Sequence, residues 1–156
     1  MSDDITYLTA EGAEDLRREL DMLLNVRRPE LALRLKEAVA MGDLKENADY
    51  HDTREQLGLL EGRIQRLDAI LRDAVIIEND GVADYVRIGA TVTIREEGTS
   101  DDETYTIVGP AEANPALGRI SQKSPIGAAL MGHKKGDTVR VEAPGGVTVF
   151  KIRKVQ

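Results

Sequence analysis

The sequence predicts an α+β protein in two parts: an N-terminal antiparallel coiled-coil hairpin of helices and a C-terminal small antiparallel β-sheet domain with one short helix. Two observations carry the prediction. From Thr9 to about Arg72 apolar residues recur at helical spacing in a stretch rich in Leu, Ala, Glu, Asp and Arg, whereas beyond Gly89 they alternate among β-branched neighbours. Charge shifts with the period: 17 of the 28 acidic and 11 of the 21 basic side chains lie in residues 1–77, a net of −6, which leaves −1 for the remainder. At 156 residues the chain has room for one ordinary domain or two small ones.

Thr9-Ala10-Glu11-Gly12 reads as a helix start with Thr9 as N-cap, although Gly12 stands where a capping box would place Glu or Gln. Leu16, Leu20 and Leu23 begin an apolar seam that Leu31, Leu35, Ala38 and Val39 resume. Between them Pro29 removes a helix hydrogen bond and crowds the preceding turn. Either a kink or a new helix with Pro29 in its first turn is expected, with the direction kept. Gly42 can take the left-handed conformation that stops a helix. Asp43-Leu44-Lys45-Glu46 then resembles a capping box opening a second helix, whose ladder Leu57, Leu60, Ile64, Leu67, Leu71 alternates three and four. Two such helices joined by so short a connection must lie antiparallel and reach ~45 Å, with residues 42–47 at the tip.

A linker is placed at 78–88, where neither period holds and Asn79-Asp80-Gly81 occurs, so the domains are expected at 1–77 and 89–156. Strands are expected over 89–95, 104–108, 138–142 and 147–153. Residues 96–103 form a polar hairpin loop and Pro144-Gly145-Gly146 a tight turn. Pro125 to Met131 is a short helix capped by Ser124 and closed by Gly132.

Composition excludes several functions. The net charge of −7 disfavours free binding to nucleic-acid phosphates, and one Phe, four Tyr and no Trp supply few rings for stacking bases. The absence of Cys removes disulfides, thiolate nucleophiles and Cys-ligated zinc. Neither a signal-peptide pattern nor a membrane span is visible, so a soluble, cytoplasmic protein is expected. His51 and His133 form no ligand or base arrangement, and Gly58 and Gly62 mark close helix approach. Lys134-Lys135 and Lys151 to Lys154 read as two short solvated basic clusters.

Chemistry is expected at the tip, where carboxylates cluster at an exposed end. Asp43 and Glu46 are close enough in sequence for both to reach one hard cation such as Mg²⁺. Two carboxylates make no closed cage, so such a site needs ligands from a partner protein or a phosphate. The same two residues are also the members of the capping box, and spacing alone leaves both uses open.

The segment from Gly42 to His51, followed by Arg54-Glu55-Gln56 and Leu60-Glu61-Gly62-Arg63-Ile64, closely resembles the bacterial transcript cleavage factors of the Gre family, in its GreA branch. The resemblance runs the full length, through Arg27-Arg28-Pro29-Glu30, the segment at 89–93, Tyr105 to Gly109, Ser124 to Leu130 and Pro144-Gly145-Gly146. It implies a monomeric transcription elongation factor that enters the secondary channel of bacterial RNA polymerase and stimulates the polymerase's own cleavage of the 3′ end of backtracked RNA. It implies no free nuclease and no membrane partner. Asp43 and Glu46 are the implied catalytic acids, holding a second Mg²⁺ only jointly with the polymerase. Asn47, Tyr50 and Arg54 would position the tip or the RNA, and Ser124, Pro125 and Ile126 would lie in the polymerase-docking segment of an FKBP-like domain. Arg54 has no acidic neighbour three or four residues away, which leaves a solvated arginine as the alternative to an RNA contact.

Three other functions fit the sequence less well. A peptidyl-prolyl isomerase is disfavoured by the scarcity of rings to line its pocket. A channel-binding inhibitor of polymerase is disfavoured by the intact Asp43 and Glu46, and a coiled-coil chaperone would make those acids dispensable.

Overall fold

The computed structural model describes residues 5–78 and 84–156. They divide into two compact units, Ala13–Asp73 on the one hand and, on the other, the chain up to Gly12 together with the described part of Ala74–Gln156.

The helical unit follows the predicted periodicity. Helix α1 (Ala10–Met22) passes through a five-residue π-helical turn, Leu23–Arg27, into α2 (Arg28–Ala40). The π turn answers the question posed by Pro29. The Arg28 N–H reaches back to the Leu23 carbonyl, and a new helical segment begins at once with Pro29 in its first turn. Helix α3 (Ala48–Asp73) returns antiparallel to α2, as the pairings between them show: Arg28 with Glu61, and Arg34 with Asp49 and Asp52. Leu31, Leu60 and Ile64 form the buried seam, flanked by Leu20, Leu23, Leu24 and Leu57. Val39, expected on that seam, is 47% exposed, because Ala38 occupies the inward position of the last turn. Two bidentate pairs, Arg28 with Glu61 at 2.8 and 2.7 Å and Arg63 with Glu19 at 2.8 and 2.9 Å, pin the register. Being part-exposed, each contributes at most about 1 kcal/mol to stability.

The other unit holds two sheets. Strands β1 (Tyr7–Thr9) and β2 (Val75–Ile77) pair parallel. Strands β3 (Thr91–Glu96), β4 (Asp102–Val108), β5 (Arg119–Ser121), β6 (Thr138–Ala143) and β7 (Gly146–Val155) form a sheet in the order β5-β4-β3-β7-β6. The four strands read from the sequence, β4, β3, β7 and β6, are each antiparallel to their neighbours among them. The fifth, β5, is a three-residue parallel addition at the edge beside β4. Helix α4 (Pro125–Leu130) is capped as expected, Ser124 Oγ accepting from the Gly127 N–H at 3.1 Å. The core gathers Val92, Ile94, Ile107, Leu130, Val139 and Ile152 from one sheet face and the helix.

The start of α1 is tied into this unit. Thr9 Oγ1 accepts from the Gly12 N–H at 3.0 Å, as an N-cap should. The acid that would normally reach back to the cap comes from 103 residues away. Glu112, in a 3-10 turn spanning Pro110–Glu112, accepts from the Thr9 N–H at 2.8 Å and from Thr9 Oγ1 at 2.6 Å. Gly12 is required for this arrangement, since a Cβ there would overlap the Glu112 carboxyl group. The segment expected as a linker divides: Asn79-Asp80-Gly81 lies outside the described residues, while Tyr85 bridges to Lys134 and Val86 is buried in the core of the sheet unit. No helix among the described residues is long and apolar enough to cross a membrane.

Candidate functional site

The turn between α2 and α3 is organised by one side chain. Helix α2 ends as its last amides turn back on the preceding carbonyls, Met41 N–H to Ala38 and Gly42 N–H to Val39, with Gly42 in the left-handed region at φ +85°. The N-cap of α3 is Asn47, not Asp43. Its Oδ1 accepts from the Tyr50 N–H at 3.0 Å, so the helix opens four residues later than the capping-box reading of 43–46 requires. The Asn47 amide nitrogen donates to the Ala38 carbonyl at 2.7 Å and to the Gly42 carbonyl at 3.3 Å. One residue thus caps the start of α3 and satisfies carbonyls at the end of α2. Asp could cap but not donate, so this position calls for an amide.

With capping assigned to Asn47, Asp43 and Glu46 are released from structural duty. Both are exposed and, among the described residues, neither takes part in a hydrogen bond or an ion pair. Together with Gly42, Asn47 and Asp49 they line a shallow cavity of about 300 Å³. The third carboxylate is already engaged: Asp49 accepts from Arg34 at 2.6 Å, and this bond, with the neighbouring Asp52, raises the Arg34 pKa further. Two unengaged carboxylates on a turn fit a hard cation that brings its remaining ligands from elsewhere. Among the described residues there is no group of three or more His, Asp or Glu that could hold a metal ion.

The other predicted residues divide by role. Asn47 is structural at the turn. Tyr50 is half-buried, its ring edge-on to His51 with centroids 5.4 Å apart. His51 carries a role the sequence did not suggest: its Nε2 lies 3.3 Å from the Lys45 carbonyl, spanning the turn, a hydrogen bond when that nitrogen carries the proton. Arg54 is exposed and has a neutral neighbour, the Tyr50 hydroxyl at 3.4 Å, so it is not wholly without an intrahelical partner. No carboxylate neutralises its charge among the described residues. In the separate sheet unit, Ser124 Oγ is occupied by its cap and by donating to the Ser121 carbonyl at 2.6 Å. Ile126 packs against the core, which leaves Pro125 as the exposed member of that trio.

Comparison with known proteins bears on both units. A family model described as "Transcription elongation factor, N-terminal" matches residues 6–76, and one described as "Transcription elongation factor, GreA/GreB, C-term" matches residues 81–156. The transcription elongation factor GreA of Chloroflexus aggregans is 46% identical over 157 residues, covering 100% of both chains. That of Bacillus subtilis is 45% identical over 148 residues, covering 95% of this chain and 94% of its own. Among solved structures, the GreA factor homolog 1 protein of Thermus thermophilus is 28% identical and covers 97% of this chain and 99% of that one, with a TM-score of 0.45.

Proposed function

The chain belongs to the GreA/GreB family of transcription elongation factors, and from that premise we propose that it binds bacterial RNA polymerase and stimulates the polymerase's own endonucleolytic cleavage of backtracked RNA. The observation that carries the reading is the release of Asp43 and Glu46 from capping by Asn47. Two carboxylates kept off the fold's own hydrogen bonds, on a turn held rigid from both sides, are placed for a ligand that the chain does not itself complete.

In this reading the helical unit, Ala13–Asp73, enters the secondary channel, and the sheet unit docks at its entrance through the segment that begins at Ser124, Pro125 and Ile126. Asp43 and Glu46 hold a Mg²⁺ shared with carboxylates of the polymerase. Bound there, Mg²⁺ supplies charge stabilisation for an in-line displacement at the phosphodiester. Asn47 keeps the two acids at fixed separation by fastening the turn to α2 and α3. Tyr50 and His51 stiffen the first turn of α3, and Arg54 offers a guanidinium for a phosphate of the displaced RNA 3′ end. The protein acts as a cytoplasmic monomer and is itself no enzyme.

The test is cleavage of labelled RNA in stalled, backtracked polymerase complexes, with the native chain and with Asp43→Asn plus Glu46→Gln. Acceleration by the native chain, lost in a double variant that still binds, is the expected result. Slowing of the polymerase by the native chain would identify an inhibitor, and failure to bind polymerase would remove the proposal altogether. RNA cleavage by the isolated protein would contradict the sharing of the metal.

A further inference from the structure

The two basic clusters that stand apart in the sequence come together on the sheet. Lys135, from the turn before β6, and Lys151 and Arg153, from the last strand, line one open cavity of about 330 Å³ with Gly136 and Ile152, and no carboxylate among the described residues lines it. All three cations are exposed, and among the described residues none of the three has an ion-pair partner. Between Lys134 and Lys154 stand six basic residues and only Asp137 and Glu142 as acids, in a chain of net charge −7. Asp137, the acid closest in sequence to the cavity lining, is taken up by the Lys134 N–H at 2.9 Å and by the His133 ring at 3.3 Å.

The backbone explains how one short run supplies so many outward cations. The pairing of β3 with β7 slips between Thr93, opposite Lys154, and Ile94, opposite Ile152, so Arg153 faces no residue of β3. This is a β-bulge, a feature that re-aims side chains and is over-represented at sheet edges and next to active sites. Strict alternation from the buried Ile152 would turn Lys154 inward. With the extra residue, Lys151, Arg153 and Lys154 are all exposed while Phe150 and Ile152 stay in the core.

We propose that this cavity binds a phosphate-bearing ligand, with Arg153 as the bidentate contact and Lys135 and Lys151 as flanking point charges. The planar guanidinium fork matches two phosphate oxygens, and ammonium groups on flexible stems complete the charge balance. The chain's overall negative charge opposes long-range capture of a nucleic acid, so the site acts at short range, on a compact polyphosphate or on a strand segment already held nearby. It does not depend on the tip acids or on the function proposed above.

Titration of the ¹⁵N-labelled full chain with pyrophosphate and, separately, with a five-nucleotide RNA at low salt tests this. Both are expected to move the amide resonances of Gly136, Ile152 and Arg153 saturably. Lys151→Gln plus Arg153→Gln, at exposed positions, is expected to weaken binding by about tenfold or more with the remaining spectrum unchanged. A response to pyrophosphate alone assigns the site to free polyphosphates, and a response to RNA alone assigns it to a strand. No saturable shift at these residues with either probe, or equal binding by the double variant, overturns the proposal.

Discussion

Helices α1 and α3, the one following strand β1 directly and the other following a turn, begin in opposite ways. At α1 the N-cap Thr9 has Gly12 where an acid would serve it, and Glu112 is brought in from a distant turn to take both its N–H and its hydroxyl. At α3 the sequence offers two acids at capping-box spacing, and the fold uses neither, assigning the cap to Asn47. The first start is a structural joint in which a carboxylate is consumed. The second keeps carboxylates in reserve, and an acid beside a helix start that does no capping is available for chemistry.

The sharpest way to break the comparison is to neutralise the acids on each side. Asp43→Asn plus Glu46→Gln should leave thermal stability within about 0.5 kcal/mol of the native chain, as for exposed residues without partners. On the proposed function, stimulated cleavage should fall by roughly 100-fold or more, because the proposed metal contact would be worth several kcal/mol. A melting curve and the backtracked-complex assay on the same preparation read both. Loss of stability on that scale or above would mean that the two acids are structural after all.

Glu112→Ala should behave in reverse. It strands the Thr9 N–H and removes the partner of its hydroxyl at a half-buried site, a cost of about 1–3 kcal/mol that denaturant unfolding would measure. Cleavage per bound factor should be unchanged. The same variant should relieve the collision that excludes a side chain at position 12, so Gly12→Ala should be more damaging alone than combined with Glu112→Ala.

How much of this could be read in advance follows from the range of each signal. The Leu57 to Leu71 ladder and the four principal strands repeat a period over many residues, and the structure keeps them. Strands β1, β2 and β5, three residues each, are too short to show alternation, and their partners lie far off in sequence. The pairing of Thr9 with Glu112 leaves only a negative trace, a glycine where a capping box wants an acid. At the tip the sequence reading places the helix start at Asp43 on its spacing to Glu46, whereas the cap in the structure is Asn47, four residues on. What decides between them is the Ala38 carbonyl at the end of α2, to which only an amide can donate.

That argument singles out Asn47→Asp. The variant keeps an acceptor for the Tyr50 N–H but exchanges the 2.7 Å donation to Ala38 for two facing oxygens. A loss of about 1–2 kcal/mol is expected, confined to the tip and visible as faster amide exchange at Tyr50 and His51. Cleavage should drop less than with the acid substitutions, since Asp43 and Glu46 remain but are held less rigidly. Protection equal to the native chain would show that the turn is held by Gly42 and His51 without the amide.

The smallest effect concerns Asp137, an acid consumed by the fold in the manner of Glu112 but at the surface. The Lys134 N–H, foremost, and the His133 ring hold its carboxyl below the ordinary value of 3.8. The sign of the linkage follows: with the folded pKa depressed, the native state binds its proton less readily than the unfolded chain does. The stabilisation is complete above the unfolded value, declines as pH falls below about 3.8, and is gone once pH has fallen through the lower folded value. Asp137→Asn should therefore remove a small increment of stability at neutral pH and none at the acid end of that window. Unfolding curves of the two proteins, displaced at pH 7, should converge as the pH is lowered. A displacement that persisted unchanged below the folded value would mean that the carboxylate's charge contributes nothing and that the turn is held by backbone shape alone.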